Sequence, residues 1–113
     1  MKESLMSNEK TNSWIFLSAG MSSNGLPITY KDVLLIADGI NHAVPMHKEL
    51  QDAFRWLLSH KLLCKVGKKY SITDKGIALL EQASAKSNLI VGQWDYIEEQ
   101  FHILSSQDKD SKT

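Results

Sequence analysis

The sequence has little of what marks secreted or membrane-spanning proteins. Its single cysteine, Cys64, cannot form an internal disulfide, which predicts a reducing compartment and a cytoplasmic protein. No apolar run approaches the roughly 18 residues that a membrane-spanning helix needs, so we predict no membrane partner. The first 12 residues contain no apolar stretch typical of a secretory signal. A length of 113 residues without a low-complexity linker indicates one domain.

Motifs for catalysis and for metal or cofactor binding are missing as well. The sequence has no glycine-rich phosphate loop, no H-E-x-x-H motif and no nucleophile elbow. The spacing of its potential metal ligands matches no zinc site; these are His42, His47, His60 and Cys64. We therefore predict no enzyme activity, no metal and no cofactor. We interpret Cys64, which falls in a predicted strand, as a small buried residue.

The chain also lacks a net charge, since 13 lysines and arginines balance 13 aspartates and glutamates. A zero total weakens the case for nucleic-acid binding, because such domains are usually basic as a whole. The charges are unevenly placed, however. Residues 45–73 carry six basic and two acidic side chains, whereas residues 77–105 carry one basic and four acidic side chains. One part of the chain therefore remains a candidate basic surface.

Hydrophobic periodicity predicts three helices in the first half of the chain. The first follows Ser13 and is apolar nearly all round, which is typical of a buried helix. The second starts at a capping arrangement of Thr29 and Asp32. The third covers about residues 46–60 and has a strong amphipathic stripe. Trp56 flanks its outer face, and we interpret it as a tryptophan that covers a neighbouring helix.

The second half predicts a hairpin and two more helices. Residues 63–72 are rich in β-forming residues around Gly67, which predicts two strands joined by a short loop. Thr73 is a suitable N-cap for a fourth helix. A fifth helix covers about residues 88–104.

The fifth helix carries an apolar arc that spans about half of its circumference, wider than the roughly 100° that one core needs. One line of this arc steps by four and three residues, like a coiled-coil seam. We interpret the arc as two surfaces, one for the helix's own domain and one for a second copy, which predicts a homodimer. The alternative is a helix wrapped entirely by its own domain. The predicted interface consists of Ile90, Trp94, Ile97, Phe101 and Leu104, with Leu89, Tyr96 and Ile103 beside them.

The order of three helices, a hairpin and a helix resembles a winged helix-turn-helix domain. The segments "LLSHKLL" and "KKYSITDKG" resemble PadR- and MarR-type regulators, in which a leucine pair and two strands precede Y-x-[IL]-T-x-x-G. The likeness covers roughly residues 26–81, and "INHAVP" also resembles small uncharacterised bacterial winged-helix proteins. The fold class that we predict is mainly α with a small β-hairpin wing, a winged helix-turn-helix with an added C-terminal helix.

The polar, aperiodic ends of the chain, the apolar arc of the fifth helix and this resemblance together predict the domain organisation and the partner. We expect a disordered tail over residues 1–11, a winged-helix domain over 12–86, a dimerisation helix over 87–105 and a disordered tail over 106–113. The implied function is a transcriptional regulator that binds double-stranded DNA, with the third helix in the major groove and the wing, about residues 63–72, beside the phosphates.

The implied DNA contacts fall on two elements. The reading positions are Lys48, Gln51 and Arg55, and the phosphate contacts are Lys65, Lys68 and Lys69. Asp52 lies within reach of both Lys48 and Arg55 on the same helix, so ion pairs explain these residues without DNA. The alternative function is therefore a winged-helix module that binds a protein or only dimerises.

Overall fold

Five helices and one hairpin make up the part of the chain described by a computed structural model, which is residues 8–23 and 25–111, with side chains described up to residue 107. This confirms the predicted fold class, mainly helical with a small hairpin between the third and fourth helices. The elements are α1 (Asn8–Ser23), α2 (Tyr30–Asn41), α3 (His47–Ser59), β1 (Leu63–Val66), β2 (Lys69–Ile72), α4 (Asp74–Lys86) and α5 (Ile90–Ser111).

α1 lies at the centre of the core, as predicted for a helix that is apolar nearly all round. Every residue from 11 to 19 is buried, and the helix packs against α2, α3 and α5. Two buried hydroxyls are satisfied within the helix. Ser13 donates to the carbonyl of Lys10 at 2.9 Å, and Ser18 donates to the carbonyl of Trp14 at 2.8 Å. A helix of this composition needs a neighbour on each of its sides.

The start of α1 corrects one prediction. The helix begins at Asn8, before the predicted cap, so residues 8–11 are helical rather than a disordered tail. The last helix holds this first turn in place, because the indole N–H of Trp94 donates to the carbonyl of Lys10 at 3.1 Å. The rest of the predicted tail, residues 1–7, lies outside the described residues.

Local capping bonds start α2 and α3. The hydroxyl of Thr29 accepts from the backbone N–H of Asp32 at 3.3 Å, and the Asp32 carboxylate accepts from the N–H of Thr29 at 3.0 Å, which confirms the predicted cap. The Glu49 carboxylate accepts from the N–H of Met46 at 2.8 Å at the start of α3. The predicted stripe of α3 is buried and includes Leu50, Ala53, Phe54 and Leu57.

The predicted hairpin is also confirmed. β1 and β2 are antiparallel and joined by a loop of residues 67–68, in which Gly67 has a φ of +63°, a conformation that costs glycine little. The backbone of Tyr70 forms two further hydrogen bonds with Ile28, at 2.7 and 2.8 Å. The segment between α1 and α2 therefore adds a one-residue bridge to the sheet.

Strand alternation corrects the interpretation of Cys64. Successive side chains of a strand point to opposite faces. Leu63 is 2% exposed and faces the core, so the next residue, Cys64, is exposed to solvent.

The start of α4 explains the glycine of the Y-x-[IL]-T-x-x-G segment. The hydroxyl of Thr73 accepts from the N–H of Gly76 at 3.1 Å, which confirms Thr73 as the N-cap. A Cβ atom on Gly76 would lie 2.5 Å from the carbonyl oxygen of Leu62 and 2.8 Å from a methyl group of Ile72. The hairpin therefore approaches α4 too closely for any side chain at this position.

The apolar seam of α5 corrects the prediction of a dimer interface. Trp94, Ile97 and Phe101 are 7, 0 and 0% exposed within a single chain. The Trp94 ring lies 6.2 Å from that of Trp14, and the Phe101 ring lies 5.5 Å from that of Phe16. These residues belong to the chain's own core and offer almost no exposed surface to a second copy. The reason is that α1 is apolar on nearly all sides, and α5 covers a side that α2 and α3 leave open.

α5 is also longer than predicted, and it is part of the same core as the other helices rather than a separate dimerisation helix. It continues to Ser111, so residues 106–111 extend the helix instead of forming a disordered tail, and residues 112–113 lie outside the described part. The helix packs along α1 and α4. Residues 87–105 therefore share one core with residues 12–86.

Candidate nucleic-acid interface

The outer face of α3, which we define as Lys48, Gln51, Asp52 and Arg55, points away from the core. Positions spaced by three and four residues lie on one side of a helix, and all four of these residues are exposed. The side chains of Lys48 and Arg55 are 81% and 79% exposed. The structure therefore places the three predicted reading positions together on one accessible surface.

Asp52 lies between the two basic residues of this face. Lys48 donates to one carboxylate oxygen at 2.8 Å, and Arg55 lies 3.5 Å from the other. The hydrogen bond from Lys48, together with the positive charges of Lys48 and Arg55, lowers the pKa of the Asp52 carboxyl. One acid shared by two bases leaves the group with a net positive charge. Because these ion pairs are exposed, Lys48 and Arg55 can each exchange Asp52 for another anion at little cost in free energy.

The hairpin exposes its three lysines, but not on one face. Lys65 is the cross-strand partner of Tyr70, and its ammonium group lies 5.8 Å from the centre of the Tyr70 ring. Lys69 pairs with Val66 at the next position of the ladder, where side chains point to the other face. Lys68 occupies the loop. The predicted phosphate contacts therefore surround the end of the hairpin rather than forming a flat patch.

Three aromatic rings connect this hairpin to α2 and α3. Tyr30 and Tyr70 are stacked, with ring centres 5.6 Å apart and planes 9° apart, and Phe54 meets each of them edge-on at 4.7 Å. The sequence pattern did not single out Tyr30. The one available signal was its position directly after the Thr29 cap, at the start of a helix.

The hydroxyl groups of these tyrosines lie 3.5 Å apart. The hydrogen bond with Tyr70 is the largest cause that raises the pKa of Tyr30 to about 12, and partial burial contributes in the same direction. The positive charge of Arg55 acts against this rise. The outer face of α3 and the tyrosine pair therefore influence each other electrostatically.

On the other side of Arg55, an open groove of about 640 Å³ lies between α1, α3 and α5. Most of its lining residues are of polar or charged types, and they include Glu9 and Asp52 besides Arg55. Trp56 forms part of the wall, and its ring lies 4.7 Å from the Phe101 ring of α5. This confirms the interpretation of Trp56 as a cover for a neighbouring helix.

The predicted dimer residues outside the buried seam fall into two groups. Tyr96 and Leu104 are half-buried against the core, and the Tyr96 hydroxyl donates to the Gln82 side chain at 3.1 Å. Leu89, Ile90 and Ile103 are 71, 41 and 46% exposed. Among the predicted interface residues, this second group alone presents apolar surface that the described part of the chain leaves exposed.

Two other kinds of site are not found among the described residues. No three His, Cys, Asp or Glu side chains in this part of the chain are gathered so that they could hold a metal ion. None of the helices described for residues 8–23 and 25–111 has both the length and the apolar character needed to cross a bilayer.

Comparison with known proteins returned no match to any protein-family model, curated protein or solved structure. The geometry of the site is therefore the basis for the functional interpretation.

Proposed function

We propose that this protein is a DNA-binding transcriptional regulator that uses α3 as its recognition helix and the hairpin as its wing. The observation that carries this proposal is the division of α3 into two faces. Its apolar stripe is buried in the core, whereas Lys48, Gln51 and Arg55 are exposed together on the opposite side. The resemblance to PadR- and MarR-type regulators assigns this helix to the major groove.

The side chains on this face suit base recognition. Arginine and lysine donate to the acceptor edge of guanine, and glutamine pairs with adenine through its amide group. The 13 residues of α3 span about 20 Å, and a major groove about 12 Å wide admits one helix of this kind. Lys65, Lys68 and Lys69 then contribute phosphate contacts, which add affinity without sequence information.

The second candidate is a winged-helix module that binds a protein or only dimerises, without DNA. The observation that favours it is Asp52, whose carboxylate neutralises part of the charge of Lys48 and Arg55 and would repel phosphate. A protein partner that carries both acidic and basic groups would match this mixed face.

Homodimerisation in the cytoplasm completes the proposed function. Two copies would place two recognition helices on neighbouring half-sites of DNA. With the seam of α5 buried, the residues that support a dimer are the exposed ones, Leu89, Ile90 and Ile103. The single, exposed thiol of Cys64 is compatible with a reducing compartment.

The first test is binding to mixed genomic duplex DNA at about 50 and 200 mM salt. Neutralising six or more phosphates releases counterions, so affinity should fall by roughly 10³ or more across this range. Lys68→Ala should reduce the salt dependence by about one phosphate contact. The matched control is Lys86→Ala, at an exposed lysine in the last turn of α4, which should leave binding unchanged. Absence of binding at the lower salt concentration would favour the second candidate.

A substitution at Arg55 separates the two candidates directly. Arg55→Ala should remove sequence preference among bound duplexes, because a bidentate arginine contact discriminates between bases. Selection of preferred sequences from a random duplex pool measures this effect. An unchanged preference would exclude Arg55 as a reading residue.

A further inference from the structure

The junction of α2, α3 and the hairpin holds two tyrosine hydroxyls in fixed positions. The stacked rings of Tyr30 and Tyr70 are both buttressed by the buried ring of Phe54. The backbone of Tyr70 is bonded twice to Ile28, two residues before Tyr30. Because rings and backbone are both restrained, the hydroxyl oxygens cannot move far apart.

The two hydroxyls satisfy each other only weakly. Their separation of 3.5 Å is long for a hydrogen bond between hydroxyl groups, which is usually about 2.7–2.8 Å. Within the described side chains, the structure gives neither hydroxyl another polar partner. At most one of the two hydroxyl hydrogens is used in this contact. At least one remains to be donated, and one acceptor oxygen placed between them can receive a hydrogen bond from each.

Positive charge lies near the hydroxyl pair. The ammonium group of Lys65 lies over the Tyr70 ring at 5.8 Å, and Arg55 is close enough to Tyr30 to influence its ionisation. Of the nearby acids, Asp52 is engaged with Lys48 and Arg55, and Asp32 accepts the backbone N–H of Thr29. Neutral donors beside a lysine ammonium group are suited to an anionic oxygen.

We propose that the Tyr30 and Tyr70 hydroxyls, with Lys65 beside them, bind a phosphodiester group of duplex DNA. This inference rests on the proposed function, because the site lies between the recognition helix and the wing. At neutral pH the Tyr30 hydroxyl keeps its proton, because the ordinary tyrosine pKa of about 10 already lies well above neutrality, and it can therefore donate to the phosphate oxygen. The site positions the wing and α3 on the DNA backbone, and it does not recognise the base sequence.

Tyrosine-to-phenylalanine variants test this site, because they remove the hydroxyl and keep the ring. Tyr30→Phe and Tyr70→Phe should each weaken binding of the full chain to duplex DNA by about tenfold, as expected for a hydrogen bond to a charged group. The matched control is Tyr96→Phe at the third tyrosine of the sequence, whose hydroxyl bonds Gln82 between α4 and α5, and it should bind as the unmodified protein does.

The salt dependence distinguishes the hydroxyls from the neighbouring lysine. Loss of a neutral hydroxyl should leave the slope of affinity against salt unchanged, whereas Lys65→Ala should reduce it by about one phosphate contact. Duplexes with a single uncharged methylphosphonate locate the contact. One such position should weaken binding of the unmodified protein more than that of either phenylalanine variant, which keeps only part of the contacts to that phosphate.

Three results would overturn the inference. If the unmodified protein binds DNA and both phenylalanine variants bind equally well, the site does not exist and the proposed function stands. If a variant loses affinity only in proportion to a lowered melting temperature, the tyrosines have a structural role alone. If the unmodified protein binds no DNA at 50 mM salt, the proposed function itself fails and this site fails with it.

Discussion

α3 and α5 both carry apolar stripes at helical spacing, and both stripes are buried in the same core. Leu50, Phe54 and Leu57 of α3 are 2% exposed or less, and Ile97 and Phe101 of α5 are fully buried. The opposite faces differ, because α3 exposes Lys48 and Arg55, whereas α5 exposes acids such as Asp95 and Glu99. The comparison teaches that an apolar stripe identifies the buried face of a helix but not the surface that covers it.

The composition of α1 explains why most of the apolar arc of α5 is buried within the chain. A helix that is buried at every residue from 11 to 19 must be surrounded, and α2 and α3 alone do not surround it. The wide arc of α5 is therefore explained largely by contacts within the chain. What remains for a partner is the exposed apolar surface at the two ends of the arc.

The largest expected effect comes from removing one core side chain from each helix. Phe101→Ala should lower the free energy of unfolding by about 3–5 kcal/mol and Leu57→Ala by about 2–5 kcal/mol, because each leaves a cavity in a packed core. Urea denaturation at two protein concentrations measures both. The two variants should show the same dependence on concentration. A stronger dependence of unfolding on protein concentration for Phe101→Ala would indicate that this residue lies at an interface between copies.

A smaller effect is expected when the outer face of α3 is made more basic. Asp52→Asn should raise the affinity for duplex DNA by about fivefold, because it removes a negative charge that repels the DNA backbone and leaves Lys48 and Arg55 without a competing carboxylate. The control is Asp95→Asn, at an exposed acid of α5. An equal gain in both variants would indicate a general effect of net charge rather than a contact made by α3.

The ionisation of Asp52 makes the stability contributed by the outer face of α3 depend on pH. Its pKa is lowered in the folded chain, so the ion pairs of Lys48 and Arg55 contribute to stability above the ordinary carboxyl pKa of about 3.9. The contribution is lost as the pH falls through the lowered folded-state value. The free energy of unfolding of Asp52→Asn should therefore be lower than that of the unmodified protein at neutral pH. The two values should approach each other only under acidic conditions.

The smallest effect on stability is expected at the exposed ends of the apolar arc. Leu89→Ser combined with Ile103→Ser should change the free energy of unfolding by less than about 0.5 kcal/mol, as is usual for surface positions. Analytical ultracentrifugation should nevertheless show a shift from dimer to monomer. Leu35→Ser, at an exposed leucine of α2, is the control and should leave the mass unchanged. If the unmodified protein is already a monomer, the proposed homodimerisation is wrong.

Patterns between near neighbours in the chain predicted much of the fold. The capping bonds of Thr29 and Asp32, the Thr73 cap, the glycine loop of the hairpin and the buried stripe of α3 all follow from residues within about four positions of each other. The exposure of Lys48, Gln51 and Arg55 follows from the same periodicity. The sequence alone therefore determined the order of elements and the accessible face of α3.

Contacts between distant parts of the chain were decided by the tertiary structure alone. Trp94 reaches the carbonyl of Lys10 across 84 positions, and the Tyr30 and Tyr70 hydroxyls meet across 40. Periodicity carries no information about such pairs, because it describes one helix or strand at a time. The first turn of α1, the cover of α5 and the tyrosine pair all depend on which elements pack together. That choice is made by the whole core, in which α1 requires neighbours on nearly every side.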